Sequence, residues 1–452
     1  MKTKLNRRDF LKAASLAGGG MVLAACAPAA TQAPAAATEA PAAAAPAEAV
    51  PLLFWFQAEN HKPEYDRRQK EMEDKFNVKI TYELLSRDAM TKKFPTTLMA
   101  GSGFPDIIEQ NADDIVKFLK GEDNVIPFVA MDNALSASPY AADVLTSRFA
   151  RYSKAGKKYG APHDVHPTIM LYNDAEWKKF DVDMSTVKTY DDYLAAMSKM
   201  DKTLPDGSPR IGNMDCLGCA TLLSLMLQNG VWWSDKNDEP QLTSPGFKAA
   251  VDTWFKFKDY WVDIDWSNDV AMMKKGQIMS QFIPDWFYGI YKQGLKDETE
   301  WKKTSPLRVM RIPYAKEGDP RVGSWGGTAA SVPKLSKIAD KAMEVLLYAY
   351  FDNTQKQLEQ RFTDTGIIPP VKSVWEADLL KAEEDTLGGQ AVGPVFTEAA
   401  AELPEYVESW KTSLIASAWG EQAALAWAGE ISVDEAIAAA DKIAKENIEK
   451  NA

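Results

Sequence analysis

The stretch from Leu52 to Ile108 constrains the fold more than any other part of the chain. Leu52-Leu53-Phe54-Trp55-Phe56 is a short continuous apolar run, the pattern of a strand buried on both faces of an α/β sheet. The residues that follow, KPEYDRRQKEMEDKF, are charged with apolar positions at Tyr65, Met72 and Phe76, which predicts a surface helix. Val78-Lys79-Ile80-Thr81-Tyr82 alternates as a second strand. A second helix is expected from Arg87 to Met99, stopped by Gly101-Ser102-Gly103, and Pro105-Asp106-Ile107-Ile108 reads as a third strand. Strand, helix, strand, helix, strand at this spacing calls for a mostly parallel sheet flanked by helices. Later helices announce their starts. Thr189 precedes Asp191 and Asp192, Ser244 precedes Pro245, and Ser432 to Glu435 forms a capping box for a final helix ending near Lys450.

None of this begins before residue 51. Lys2, Lys4, Arg7, Arg8 and Lys12 make a positive end, and Ala13 to Ala25 is an uncharged run rich in Ala and Gly. The run is shorter and less apolar than the ~20 residues a membrane-spanning helix needs. It fits the core of an export signal. Arg7-Arg8 followed by Asp9-Phe10-Leu11-Lys12 resembles a twin-arginine signal. Leu23-Ala24-Ala25-Cys26 resembles a bacterial lipobox, which makes Cys26 the expected lipidated first residue of the mature chain. Residues 27–50 are almost wholly Ala, Pro, Thr, Gln and Glu, with proline at 28, 34, 41 and 46, so they form a spacer and no core. The expected organisation is therefore a signal over 1–25, a lipidated Cys and linker over 26–50, and a folded body from 51.

The whole chain carries a net charge of −12, and removing residues 1–25 leaves −16. No basic cluster follows residue 50, so nucleic acid is not an expected partner. The ~400 remaining residues exceed one ordinary domain, and two lobes are expected. Cys216 and Cys219, as Cys-Leu-Gly-Cys, admit three readings: a redox pair, part of a zinc site, or a local disulfide or two thiols of structural value only. With few histidines and no thioredoxin-like strand order, the third is preferred. No metal, cofactor or catalytic residue is expected.

A set of spaced landmarks resembles the family 1 extracellular solute-binding proteins of ABC importers. They are Gly103-Phe104-Pro105-Asp106-Ile107-Ile108, Gly160-Ala161-Pro162 followed by Leu171-Tyr172-Asn173, and Lys275-Gly276-Gln277-Ile278-Met279 followed by Pro284-Asp285-Trp286. Gly326-Gly327, the segment Ala339 to Leu347, and Gly366-Ile367-Ile368-Pro369 complete the series. The segment Ile115 to Asp132 departs from the family pattern, with Ile126-Pro127-Phe128-Val129 in place of its usual motif. The resemblance implies an α/β, two-lobed periplasmic-binding-protein-like (type II) fold with hinge strands between the lobes. The first lobe would hold 51–165 and 306–352, the second 166–305 and 353–452. It further implies a monomer anchored by lipid outside the cell membrane or in the periplasm, capturing a carbohydrate, an oligosaccharide above all, for ABC permease subunits. A secreted glycoside hydrolase, or the same trap holding a peptide or polyamine, are the alternatives.

Tryptophan, at 14, is used almost as freely as phenylalanine, at 18. A flat ring suits the C–H face of a sugar, and nearby carboxylates and amides hold its hydroxyls. Trp286 and Trp325, where the family places cleft residues, are expected to stack on ligand. Trp55, Trp232 and Trp233 stand equally between ligand contact and core. Trp254, Trp261 and Trp410 are expected as core residues on helices. Gln57, Glu59, Asn111, Asp113, Asp164 and Asp285 are the polar candidates, each near a strand end or crossing, with surface or capping roles as the alternative. Gly326-Gly327 is expected to turn the chain or bring backbone close to ligand.

Overall fold

A computed structural model describes residues 48–263 and 267–452, apart from the side chain of Asp263. The expected signal, Cys26 and nearly all of the linker lie outside the described residues. No described helix is long and apolar enough to cross a membrane.

Twelve strands occur in chain order among the described residues: β1 (Val50–Phe56), β2 (Val78–Leu84), β3 (Ile107–Asn111), β4 (Ser153–Lys154), β5 (Lys157–Lys158), β6 (Ala161–Pro162), β7 (Thr168–Asn173), β8 (Asn213–Asp215), β9 (Trp261–Asp263), β10 (Ser280–Pro284), β11 (Leu307–Arg311) and β12 (Thr328–Ser331). They make two five-stranded sheets, ordered β2-β1-β3-β12-β6 and β11-β7-β10-β8-β9, and a small β4-β5 hairpin. In the first sheet β1 runs parallel to β2 and β3, while β12 is antiparallel to β3 and β6.

Why β1 lies at the heart of its sheet is visible in its alternation. Phe54 and Phe56 point to one face and meet Tyr65 from the helix Lys62–Phe76, with ring centroids 5.2 Å apart in both cases. Trp55 points to the other face, where Met90 and Phe94 from the helix Arg87–Ala100 cover it. Both helices have local reasons to start and stop. Pro63 opens the first and left-handed Asn77 ends it, while Ser86 accepts from the Ala89 N–H to cap the second, which ends at Gly101. Each fully buried aromatic contributes about 1.5–3 kcal/mol. The expected caps at Thr189, Ser244 and Ser432 are present, the first and last as complete capping boxes.

Two lobe boundaries differ from expectation. β11, expected to open the return to the first lobe at 306, pairs instead with β7 in the second sheet. The chain regains the first sheet only at β12. Beyond the helix Ala339–Phe351, expected to precede entry to the second lobe at 353, the helix Glu359–Thr365 packs back on Lys62–Phe76 of the first lobe. Val371 still pairs with Val144. The cause of the second shift is one buried pair. Arg361 donates to both oxygens of Glu64 at 2.7 and 2.9 Å and to the His163 carbonyl at 2.6 Å. Burial opposes the charge on Glu64, but Arg361 and then His163 outweigh it and hold its carboxyl well below the usual range.

Removing one partner of such a pair strands a buried charge. Arg361→Met is expected to cost about 3–5 kcal/mol in urea unfolding, with part regained in the Glu64→Gln/Arg361→Met double variant. A loss of under about 1 kcal/mol would show that the pair does not fix this segment.

Candidate functional site

An open cleft of about 1790 Å³ lies where the ends of both sheets meet. Its wall is built from segments that follow β1 and β3 and the turn that precedes β12, together with the start of the helix Asp285–Gly294 after β10. Residues Ala58 to His61, Asn111 to Asp113 and Trp325 to Thr328 all face it. This is the crevice outside the carboxyl ends of parallel strands, where open α/β sheets bind ligands.

Of the residues expected at the site, Glu59, Asn111, Asp113, Trp232, Trp233, Trp286, Trp325, Gly326 and Gly327 line this cleft. Trp286 and Trp325 meet edge to face at 5.1 Å, and the Trp286 indole N–H donates to the Trp325 carbonyl at 3.1 Å. Trp232 rests on Tyr406, centroids 4.3 Å apart. Asp113 pairs with Arg87 at the rim.

Four expected residues do not line it. Trp55 is fully buried under the helix Arg87–Ala100, with the Lys93 ammonium 4.1 Å from its ring centroid, because its place in β1 aims it away from the crevice. Gln57 is half-buried beside the cleft and does not line it, its Oε1 enclosed without a hydrogen bond. Asp164 and Asp285 are fully buried and hold the lobe crossings instead. Of the tryptophans expected in the core on helices, Trp254 is fully buried on a helix, Trp261 is half-buried on β9 against the core, and Trp410 is half-buried at a turn under the Lys120 ammonium, outside the core.

His166 stands between those two aspartates. Its Nε2 is 3.0 Å from Asp164 and its Nδ1 2.5 Å from Asp285. Asp164 also accepts from Arg148 at 3.2 Å and from the Thr328 N–H and hydroxyl at 2.8 and 2.6 Å. Asp285 also accepts from the N–H groups of Trp286 and Ile368, at 2.8 and 2.6 Å. Burial disfavours charge on His166, yet Asp164 and then Asp285 outweigh it and raise its pKa to about 9.

Two cleft residues that sequence reasoning missed form a second pair. Arg151 donates to Glu408 Oε1 at 3.1 and 2.6 Å and to the Gly326 carbonyl at 2.6 Å. Glu408 Oε2 is buried and keeps an acceptor without a partner. The glycine pair makes room for this. Gly326 and Gly327 have φ of +93° and +137°, and a side chain on Gly327 would collide with the Arg151 guanidinium. A side chain on Gly326 would crowd the Trp286 indole nitrogen at 3.1 Å.

His61, which also lines the cleft, belongs to a buried cluster with Glu109 and His163, whose ligand atoms lie within 4.8 Å of one another. Glu109 already accepts from His61, Tyr65 and Tyr350, so hydrogen bonds satisfy it without an ion. Burial, then Arg361, lowers His163 to about 4, which keeps it neutral.

Comparison with known proteins gives a consistent result. The family model described as bacterial extracellular solute-binding protein matches residues 68–387. The chain is similar to an arabinooligosaccharide-binding protein of Bacillus subtilis, 28% identical over 73% of this chain and 75% of that one. It is 22% identical to a protein of the same description from Halalkalibacterium halodurans, over 75% of each. Among solved structures it resembles the sugar-binding protein MalE of Xanthomonas citri, with a TM-score of 0.73 and 16% identity, over 89% of this chain and 98% of that one.

Because the folded pKa of His166 exceeds the ~6.5 of a free histidine, its contribution is full below about pH 6.5 and is lost as pH rises through about 9. His166→Asn tolerates the left-handed backbone at this position, φ +54°. The stability gap between the native chain and this variant, read by urea unfolding, is expected to shrink by about 3 kcal/mol from pH 6 to pH 10. A gap that stays constant would mean that His166 carries no bound proton there.

Proposed function

The chain belongs to the bacterial extracellular solute-binding proteins, and on that premise we propose that it captures an oligosaccharide between its lobes and delivers it to the permease of an ABC importer. The observation that carries this reading is the pairing of aromatic faces with a charged hydrogen-bonding pair in one cleft. Trp232, Trp286 and Trp325 line the same space as Arg151 and Glu408. A sugar presents both surfaces that such a site needs, an apolar ring face and a rim of hydroxyls. Arg151 and Glu408 supply a charged donor and acceptor beside the aromatic rings, the kind of group that holds sugar hydroxyls.

The size of the cleft supports a chain of sugars over a single ring. At about 1790 Å³ it exceeds the roughly 300–1,000 Å³ typical of sites for drug-sized ligands. The two arabinooligosaccharide-binding relatives support a pentose-based oligosaccharide as the first ligand to test. The reading assigns no chemical step to the cleft. Export through a twin-arginine signal and anchoring at Cys26 complete it, since a receptor tethered beside its permease raises the local concentration of loaded protein.

Thermal unfolding against mono- and oligosaccharides, peptides and polyamines tests this. A ligand at a hundred times its Kd stabilises by about 2.7 kcal/mol, and the rise is expected with arabino-oligosaccharides. Trp286→Ala and Trp325→Ala are each expected to weaken that binding about tenfold or more, equivalent to about 1.4 kcal/mol, while remaining folded. A rise only with peptides or amines would discard the sugar, and cleavage of a glycan on long incubation would overturn the reading.

A further inference from the structure

Cys216 and Cys219 form a disulfide with Cα atoms 5.2 Å apart. The sequence reading weighed a redox pair, a zinc site and a structural pair, and preferred the structural one for want of a thioredoxin-like strand order. The structure supplies that context. Cys219 is the N-cap of the nine-residue helix Ala220–Gln228, where the first-turn N–H groups and the helix dipole favour a thiolate. Asp215, the last residue of β8, is buried beside the pair, and its carboxylate and the two sulfurs lie within 4.8 Å of one another. Both cysteines are half-buried residues, neither sealed in the core. A structural brace is poorly placed here. A bridge over three positions closes so short a loop that it constrains the unfolded chain little.

We infer that Cys216–Cys219 is a thiol–disulfide exchange site for an external thiol, with Asp215 as the group that hands a proton to and from the inner sulfur. An external thiolate attacks one sulfur, and the Cys216–Cys219 bond breaks as the mixed disulfide forms. The electron pair leaves on the other cysteine, which takes the proton carried by Asp215. A second external thiolate then displaces the first as an external disulfide, and the remaining cysteine takes up a proton from solvent, as does Asp215. In sum two external thiols lose two electrons and two protons, and the pair becomes two thiols.

The surroundings of Asp215 suit a proton carrier. The groups facing it are neutral donors: the N–H groups of Cys216, Ala220 and Thr221 and the Thr221 hydroxyl. The ionisable residue opposite it in the strand register is Asp263 of β9. Burial raises Asp215 to about 7, so that it both holds and releases a proton near neutrality. The site also touches the binding lobe directly, because Leu223 of the same helix lines the cleft and Trp232 follows its end.

The test uses the full chain carrying Cys26→Ser, which leaves Cys216 and Cys219 as its two cysteines. This chain and all variants made in it are equilibrated with graded mixtures of reduced and oxidised glutathione, and thiols are then counted by maleimide labelling and mass. Two labels are expected to appear without denaturant, at ratios glutathione can reach. Divided by the fraction of glutathione present as thiolate, the rate of reduction is expected to fall as pH rises through a midpoint near 7, where Asp215 loses the proton it donates. Asp215→Asn should slow it about tenfold at pH 7 and flatten that profile, a readout that a packing role would not move. Should Asp215→Asn fail to fold, Cys219→Ser and Cys216→Ser are each treated with oxidised glutathione. A mixed disulfide formed readily on at least one of them supports the proposal. Labels that appear only after denaturation, an Asp215→Asn rate equal to the native rate at every pH, or no mixed disulfide on either serine variant would overturn it.

Discussion

A histidine held between two carboxylates stands where the chain passes from one sheet to the other. His166 lies in the first crossing, between β6 and β7. Its partner Asp164 also takes the Thr328 N–H, at the end of the second crossing, and its partner Asp285 takes the Ile368 N–H, in the segment between the helix Glu359–Thr365 and Val371. Through its two carboxylates the histidine therefore links the first crossing, the end of the second and the segment at Ile368. Burying such charges costs several kcal/mol per ion before their attraction is counted, so this arrangement is a poor way to add stability. What it does supply is orientation, since a charge flanked by two fixed carboxylates has one low-energy position. The Glu64–Arg361 pair does the same for the helix that follows Phe351.

The parts of the fold legible in the sequence are those governed by neighbours in the chain. The β1 run, the helix at Lys62–Phe76 and the capping boxes at Thr189 and Ser432 all follow from periodicity and hydrogen bonds within a few residues. The lobe boundary at β11 was not legible. Leu307 and Val309 alternate inward as they would in either sheet, and only pairing with β7 decides which. Trp55 was misplaced for a related reason. The continuous apolar run already pointed to burial on both faces, but it does not show where the strand ends and the crevice begins, and Trp55 lies inside β1 under a helix.

The candidate site divides in the same way. Trp286, Trp325 and the glycine pair could be found because they sit beside turn signals in a recognisable order. Arg151 and Glu408 are 257 residues apart, and no local pattern links them. The stretch Arg148-Phe149-Ala150-Arg151 did carry a signal, two arginines among apolar neighbours, which in hindsight marks cations that need buried partners. Asp164 and Asp285 were expected as ligand-contacting residues and do not line the cleft. Their charges face His166, Arg148 and backbone donors, not the cleft, and that follows only from the crossing of the chain.

Cleft and crossing share residues, and this gives ligand binding a route to lobe movement. His166 and Thr328 line the cleft while engaging Asp164, and Trp286 lines it while its own N–H binds Asp285. Arg151 reaches from Glu408 to the Gly326 carbonyl, so it bridges the segment before the helix Thr412–Ala428 and the turn entering β12. A ligand that touches these groups therefore touches the partners of the crossing itself. Any ligand shifts an equilibrium only by its difference in affinity between the two states. Contacts made to both lobes at once exist in full only when the lobes approach, so a ligand that touches both favours the closed form by the contacts that the open form lacks.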